Sequence, residues 1–405
     1  MKPVLYISYD GLLDPLGYSQ VQPYLRQLGL RGVPLRVLSF EKPELCSGPE
    51  IKQVKESLTS CGVFWHRLRY HKRPAVLSTL RDIAAGLAVA RVLVLRHRIG
   101  IIHARSYIAA VIALGLCSVS RVRFLFDMRG FWVEERVEGG LWKKGGLLYR
   151  TFKRLEKKFL QRADAIVILS RRGAEILRGM LPSRRAEPRI EVIPTCVDLT
   201  LFRPGPVIKD SKDSLKLVYV GSLGTWYLIE EMVAFFGIVL TRLPESSFTL
   251  ITPSDPAVLE QAVGKLNLPQ GAAERIIVKS VPYSQVPQAL AEADCSLFFI
   301  RPSFSKQASC ATKFAESLAC GRPVLINPGI GDHEQYVRSR NLGVVIEEFS
   351  QAGFNSALDS LLELFQDSSL ASRCRSAAAE DFSLAGGAET YLDLYRWLSE
   401  DRGER

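Results

Sequence analysis

The chain has 405 residues, of which 47% are hydrophobic and 23% charged, so it is long enough for two domains and its composition excludes a disordered protein. Its net charge of +11 is uneven: residues 1–200 carry 34 Lys and Arg against 17 Asp and Glu, and residues 201–405 carry 19 against 25. We expect the first half to face an anionic partner, unless the charge only aids solubility, and no sequence motif supports nucleic acid as that partner.

Strands and helices alternate through the first half, which predicts a parallel sheet with helices on both faces. The predicted strands are 4–8, 35–40, 63–69, 100–104, 123–127, 165–169 and 190–193. The predicted helices are 18–31, 49–61, 75–98, 107–118, 139–162 and 171–180.

A second alternating series follows the proline-containing segment 194–214, which is the predicted linker. Its predicted strands are 216–220, 248–251, 276–279, 296–299, 324–326 and 343–345, and a last helix is predicted at 386–400. We therefore predict two doubly wound domains, 1–200 and 201–385, with ligands at the carboxyl ends of their strands.

The eight cysteines form no Cys-x-x-Cys pair, which argues against a zinc site or a disulfide framework and favours reduced thiols in a cytoplasmic protein. No apolar run reaches the roughly 18 residues that a transmembrane helix needs. Residues 1–9 are too short for the apolar region of a signal peptide, and we expect them to form a buried strand instead.

The segment TKFAESLACGRPVLINPGIGD, residues 312–332, is the most informative in the chain. It predicts a helix that opens on a polar loop, where backbone N–H groups suit a phosphate. Lys313 and Glu316 share one face of this helix, so that the cation can meet a diphosphate and the carboxylate a ribose. The alternative is an ordinary helix–strand unit of an α/β domain.

This segment resembles the donor-nucleotide motif of the retaining glycosyltransferases of family 4, the group 1 glycosyl transferases. The resemblance implies the GT-B fold, in which two Rossmann-like domains face a central cleft. It also implies that a nucleotide sugar, UDP- or GDP-linked, is the substrate, with no cofactor and no metal. In this fold the last helix, here 386–405, commonly packs back on the first domain.

Tyr9–Gln20 resembles the glycine-containing first loop of the family, which lies between donor phosphate and acceptor. It implies a phosphate or acceptor loop that contains Gly17, Tyr18 and Gln20, with Gly17 placed just before a helix. It is not the GxGxxG fingerprint of a dehydrogenase. The alternative is a plain turn at Asp14 and the proline that follows.

Two further stretches follow predicted strands of the first domain. His103 matches a family histidine that lies against the donor sugar, and Arg105 stands where some relatives carry a second histidine. Asp127 and Arg129 belong to an Asp-x-Arg-Gly variant found in part of the family. We predict these four as catalytic residues; the alternatives are a satisfied core histidine and an Asp–Arg pair that only fixes a loop.

The second domain departs from the family in two places. Ser222 and Tyr227 stand where relatives carry an arginine and a lysine on the diphosphate, although Gly221 and Gly224 keep backbone N–H groups available. Ala308 replaces the glutamate that contacts the sugar. The resulting prediction for the donor site is a set of eight residues: Gly221, Ser222, Gly224, Tyr283, Ser309, Thr312, Lys313 and Glu316.

The resemblance thus implies a metal-independent, retaining glycosyltransferase of the hexosyltransferase type, and with the basic first half we expect it to move sugar to a glycan or polyprenyl-diphosphate-linked acceptor in cell-surface polysaccharide synthesis. The alternatives are a sugar-nucleotide epimerase and a non-catalytic partner that kept the fold. The basic segments 65–73 and 142–162 are candidates for peripheral contact with an anionic membrane at its inner face, although the apolar side of 142–162 also fits the core.

Overall fold

The computed structural model describes residues 1–181, 187–205 and 214–400. The chain divides into two compact units, a first unit of Met1–Pro194 with Leu384–Arg405 and a second unit of Thr195–Ser383. The predicted domain boundary lies at residue 200, and the change of unit falls at Pro194. Parts of two predicted segments, 206–213 of the linker and 401–405 of the last helix, lie outside the described residues.

The first unit is built on a seven-stranded sheet in which every neighbouring pair is parallel. Its strands are β1 (Val4–Ser8), β2 (Leu35–Glu41), β3 (Val63–Arg69), β4 (Ile101–Arg105), β5 (Arg123–Asp127), β6 (Ala165–Ile168) and β7 (Arg189–Val192), in the spatial order 3-2-1-4-5-6-7. The order reverses beside β1, and the crevice at such a reversal is where open α/β sheets bind ligands.

Eight helices of the first unit connect these strands. They are α1 (Pro15–Gln20), α2 (Gln22–Leu30), α3 (Gly48–Thr59), α4 (Ala75–His97), α5 (Ser106–Val119), α6 (Trp132–Glu138), α7 (Leu147–Arg162) and α8 (Arg171–Met180), with a 3-10 turn at Pro43–Leu45. Fully buried strands such as β1 and β4, connected by helices, form the doubly wound pattern that the sequence predicts.

The second unit repeats this plan with six parallel strands in the order 10-9-8-11-12-13. The strands are β8 (Lys216–Val220), β9 (Ser247–Ile251), β10 (Ile276–Lys279), β11 (Cys295–Leu297), β12 (Val324–Ile326) and β13 (Gly343–Val345). The helices are α9 (Ile229–Arg242), α10 (Pro256–Gly264), α11 (Val286–Glu292), α12 (Thr312–Ala319), α13 (His333–Arg340), α14 (Gln351–Leu364) and α15 (Leu370–Asp381), with 3-10 turns at Ala273–Arg275, Tyr283–Gln285 and Ser305–Ala308.

The last helix, α16 (Leu384–Ser399), belongs to the first unit, where it packs on α2 and β4. Its buried face carries Tyr391, Leu394, Tyr395 and Leu398, which recur at helical spacing. Burial of these large side chains, rather than chain order, decides to which unit the helix belongs.

One predicted helix is wrong in its first part, because residues 139–146 are not helical and α7 begins at Leu147. The segment contains two Gly-Gly pairs, and Gly140 and Gly145 adopt positive φ angles of 74° and 75°. Such angles end a right-handed helix, and glycine adopts them without a steric penalty. Among the described residues, no helix is both long enough and apolar enough to cross a membrane.

Candidate active site

The second unit holds a lysine in an unusual environment. Lys313 is the second residue of α12, and only 5% of its surface is exposed. Its Nζ lies 4.1 Å from the ring centroid of Tyr219, 3.6 Å from that of Tyr227 and 5.7 Å from that of Phe298. Within the described part of the chain, this Nζ makes no hydrogen bond.

The surroundings of Lys313 favour the uncharged form of its side chain. Burial lowers its pKa well below the usual value for a lysine, and only Glu316 opposes that shift. The backbone of Gly221 passes so close that a Cβ there would lie 2.8 Å from Nζ, and its φ of +135° also favours glycine. The site therefore presents a dry amino group, which a bound anion would keep charged, beside a stretch of bare backbone.

Glu316 follows one helical turn after Lys313 and is also buried. One of its carboxylate oxygens accepts a 2.8 Å hydrogen bond from the hydroxyl of Tyr283. Burial raises the pKa of Glu316 to about 7, although Tyr283 and Lys313 both favour the ionised form. A carboxylate in this state accepts hydroxyl donors readily, and its charge changes near neutral pH.

The loop after β8 leaves two backbone donors available. The N–H of Gly221 donates to the carbonyl of Ile251, and that of Leu223 donates to Ser254 Oγ at 2.7 Å. In the described residues, the N–H groups of Ser222 and Gly224 take part in no hydrogen bond. Two unpaired amides in one glycine loop are typical of phosphate-binding sites.

Ser309 and Thr312 lie at the start of α12, and both are half-buried. Beside them, the N–H of Ala311 donates to Nε2 of His333 at 3.2 Å. Burial lowers the pKa of His333 to about 3, so its ring is neutral and can accept this bond. The sequence analysis missed His333 because no motif marks it; only the fold brings it to this helix.

In the first unit, two predicted residues meet at the carboxyl edge of the sheet. Arg105 ends β4 and Asp127 ends β5, and the two are partners in the parallel pairing. Arg105 Nη1 lies 3.6 Å from Asp127 Oδ2, a distance at the outer limit for an ion pair. Burial acts to raise the pKa of Asp127, but the nearby Arg129, His103 and Arg105 together hold it below the usual value.

His103 lies elsewhere than predicted, in the middle of β4 and not at its carboxyl end. Its ring is fully buried beneath α16, where Nδ1 lies 2.7 Å from the hydroxyl of Tyr395 and Nε2 lies 3.5 Å from Asp127 Oδ2. Burial lowers the pKa of His103, so the ring is neutral. The strand-end position belongs to Arg105, and His103 and Arg105 both lie near Asp127 Oδ2.

The prediction for Gly17 also needs correction, since it is the third residue of α1 and not the residue before the helix. A Cβ on Gly17 would lie 2.2 Å from the carbonyl oxygen of Gly11, so the missing side chain makes room for the chain's own backbone. Gln20 is buried and Tyr18 half-buried. Arg129 is half-buried and has a left-handed backbone with φ of +59°.

The described residues include no group of three or more His, Cys, Asp or Glu side chains arranged to hold a metal ion. The aromatic rings around Lys313 carry no sequence motif, because they come from three separate segments that only the fold brings together.

Comparison with known proteins identifies a family model that matches part of the chain. Residues 19–196 match the model of the glycosyl transferase 4-like domain. No curated protein sequence matches the chain significantly.

Solved structures resemble the whole chain at low sequence identity. Sucrose-phosphate synthase from Thermosynechococcus elongatus superposes with a TM-score of 0.75 at 16% identity, covering 98% of this chain and 99% of the other. The Anabaena protein Alr3699/HepE in complex with UDP and glucose gives 0.70 at 14% identity, covering 98% and 100%. WaaG, a glycosyltransferase involved in lipopolysaccharide biosynthesis, gives 0.64 at 16% identity, covering 96% and 99%.

The chain therefore has the GT-B fold, and residues 19–196 match the glycosyl transferase 4-like domain. These findings confirm the predicted resemblance to the group 1, family 4 enzymes. The matched family model also supports the predicted glycosyltransferase class.

Proposed function

We propose that the second unit binds a nucleotide-sugar donor, with Lys313 on the diphosphate and Glu316 on the ribose. The observation that carries this proposal is the buried, unbonded Nζ of Lys313. An ammonium group taken out of water without a partner costs several kcal/mol, so a fold keeps one where a ligand supplies the missing charge. The amides of Ser222 and Gly224 and the hydroxyls of Ser309 and Thr312 complete the proposed donor site.

The pairing of Tyr283 with Glu316 supports the ribose role. The carboxylate that would accept ribose hydroxyls is occupied here by a single hydroxyl donor of the chain itself. Ribose can exchange for this partner without leaving the carboxylate unpaired, and Tyr283 is then free to lie beside the base. UDP is the first donor to test because the similar Anabaena protein has been crystallised with UDP and with UDP-glucose; GDP is the alternative.

The reaction follows from this charge distribution. As the glycosidic bond breaks, negative charge develops on the leaving diphosphate, and a preorganised ammonium group and N–H donors stabilise it. We propose that the chain's own groups do this without a metal ion and that the sugar keeps its anomeric configuration. Proton NMR coupling constants of donor and product test the second point, since a product of opposite configuration contradicts it.

For the first unit we propose a role in binding the acceptor. Arg105 and Arg129 lie at the carboxyl edge of its sheet and suit an acidic group of a glycan or a polyprenyl diphosphate. Asp127 and the buried His103 hold Arg105 in place from behind. Such an acceptor suits an enzyme of cell-surface polysaccharide synthesis at the cytoplasmic face of the membrane.

A surface of the first unit supports membrane contact. Leu141, Leu147 and Leu148 are 65%, 79% and 37% exposed, and Lys143 and Lys144 lie between them in the chain. Exposed apolar side chains among lysines suit a peripheral site on an anionic membrane.

Vesicle flotation tests the membrane contact. A protein with Leu141→Ser and Leu147→Ser should bind phosphatidylglycerol vesicles less than the wild type, and neither should bind phosphatidylcholine. Leu95→Ser is the matched control, because Leu95 is 69% exposed on α4. Equal binding by all three proteins contradicts this contact.

One observation favours a second function, that of a non-catalytic partner with the same fold. Tyr227, which replaces a family cation, packs its ring on Lys313 and so adds no positive charge. A thermal-shift screen of wild type and Glu316→Ala with nucleoside diphosphates and nucleotide sugars separates the two functions. One ligand that stabilises only the wild type supports donor binding; no shift with any nucleotide favours the non-catalytic partner.

A further inference from the structure

A second cluster of titratable groups lies in the first unit, apart from Arg105, Asp127 and Arg129. His71 follows the end of β3, and its Nδ1 lies 2.6 Å from Oδ1 of Asp82 on α4. The backbone N–H of His71 and the hydroxyl of Tyr9 both donate to the other oxygen of Asp82, at 3.1 and 3.0 Å. Asp82 is only 1% exposed, so the chain itself supplies its partners.

The contact with Asp82 decides which ring nitrogen of His71 is available to a ligand. The carboxylate of Asp82 engages Nδ1, which leaves Nε2 as the ring nitrogen that a ligand can reach. The side chain of His71 is 25% exposed, and Nε2 has no hydrogen-bond partner among the described residues. The result is an oriented ring nitrogen at the protein surface.

Two aromatic rings lie beside the His71–Asp82 pair. Tyr9 and Tyr70 meet edge to face with their centroids 5.5 Å apart, and both are half-buried. The N–H of Tyr70 donates to the carbonyl of Glu41, which holds this segment against β2. Aromatic surface with a small number of oriented polar groups is typical of sites for small organic ligands.

The positions of Tyr9 and His71 relative to the sheet also indicate a ligand site. Tyr9 directly follows β1, and His71 lies two residues beyond the end of β3. Both therefore lie at the carboxyl edge of a parallel sheet, where open α/β sheets bind their ligands.

We propose that Nε2 of His71, oriented by Asp82, forms a hydrogen bond with a hydroxyl group of the acceptor sugar, with Tyr9 and Tyr70 against the sugar ring. The inference rests on the proposed transferase function and assigns the acceptor a hydroxyl-bearing ring at this point. The competing explanation is structural: the pair would only tie residues 70–74 to α4.

Two substitutions separate these explanations. His71→Asn keeps an amide donor near the position of Nδ1, so the bond to Asp82 survives while Nε2 is lost. His71→Gln places an amide near the position of Nε2 but gives up the bond to Asp82, so it should lower the melting temperature and keep more acceptor use than His71→Asn. His66→Asn is the matched control, because His66 is a half-buried histidine of β3 whose Nε2 faces Arg36 at 3.3 Å.

The assay uses labelled UDP-glucose as donor and a printed panel of mono- and oligosaccharides as acceptors, with UDP affinity and thermal unfolding measured on the same proteins. We expect His71→Asn to raise the half-saturating acceptor concentration about 3- to 10-fold, as the loss of one hydrogen bond to a neutral hydroxyl predicts. The UDP affinity and melting temperature of His71→Asn should match those of the wild type. For His66→Asn the half-saturating acceptor concentration, the UDP affinity and the melting temperature should all match those of the wild type.

The outcomes distinguish the two proposals. If the wild type transfers sugar and His71→Asn is saturated by the same acceptor concentration, the inference about His71 is wrong and the transferase function stands. If acceptor use falls only together with the melting temperature, the pair is structural and the inference is also wrong. If the wild type neither binds UDP nor transfers sugar, the proposed function fails and the inference fails with it.

Discussion

Lys313→Met should stabilise the protein while it weakens donor binding. Methionine has nearly the shape of lysine, so the substitution removes a buried charge without leaving a cavity. Replacing buried charge by apolar groups typically stabilises by about 1–4 kcal/mol, and the lost cation–π contacts with Tyr219 and Tyr227 offset about 1–2 kcal/mol of that. We expect a net gain of about 1–2 kcal/mol, or about 2–8 °C in melting temperature for a unit of this size.

Donor affinity should move in the opposite direction. A hydrogen bond to a charged group contributes about 1.5–3 kcal/mol, so Lys313→Met should weaken UDP binding about 10- to 150-fold. Titration calorimetry with UDP and thermal unfolding of the same samples measure both effects. Lys265→Met is the control, because Lys265 is an exposed lysine paired with Glu230 and should change neither value appreciably.

The stability gain should also depend on pH. Burial lowers the pKa of Lys313 in the folded protein, whereas the unfolded chain keeps the ordinary lysine pKa of about 10.4. Between these two pKa values the unfolded chain binds more protons than the folded one. The free energy of unfolding of the wild type therefore rises with pH in that window, relative to the variant. The advantage of Lys313→Met should therefore shrink between pH 7 and pH 10. A variant that melts no higher than the wild type at pH 7 and binds UDP equally well would refute this reasoning.

Three further predictions concern single groups of the two units. Glu316→Gln should weaken UDP binding and remove part of its pH dependence between pH 6 and 8, because the pKa of Glu316 is raised to about 7 and ribose hydroxyls bind the ionised form best; calorimetry at both pH values measures this. Gly221→Ala should destabilise by about 1–3 kcal/mol and weaken UDP binding, because φ is +135° and a Cβ meets the buried amino group of Lys313. Gly264→Ala, where a Cβ has open space and which lies at the end of α10, serves as control. Tyr395→Phe removes the partner of His103 Nδ1 and should lower the free energy of unfolding by about 1–3 kcal/mol in urea.

Each of these predictions has a contradicting result. An unchanged pH profile in Glu316→Gln would mean that another group titrates on donor binding. Equal behaviour of the alanine variants at the two glycines would show that the backbone at Gly221 is not critical. A wild-type midpoint in urea for Tyr395→Phe would mean that the buried imidazole finds another partner.

Much of the fold follows from local sequence signals. Alternating apolar strands and helices predicted both sheets, because a strand buried on both faces is recognisable from its own residues. The predicted helix was wrong over residues 139–146. The leucine and lysines of this segment favour a helix, but the two Gly-Gly pairs that flank them disfavour it. The helix propensity of the residues between the glycines is too weak to offset the positive φ angles of Gly140 and Gly145.

The site was predictable only in part. Lys313 and Glu316 share a helix face, so three residues of spacing suffice to place them together. Tyr283 and the ring of Tyr219 come from other segments of the chain, and no spacing rule connects them to α12. His103 was expected at a strand end, where it could reach a ligand. The sequence does not show that the tyrosines of α16 cover its ring instead. Contacts between distant segments are set by tertiary packing, which periodicity does not reveal.

A crystal structure of the protein soaked with UDP tests the central claim most directly. Our account predicts the diphosphate within hydrogen-bond distance of Lys313 Nζ and of the amides of Ser222 and Gly224. It also predicts the ribose hydroxyls on Glu316, with Tyr283 displaced from that carboxylate. UDP bound elsewhere, with Lys313 still enclosed by its aromatic rings and Tyr283 still bonded to Glu316, would contradict it.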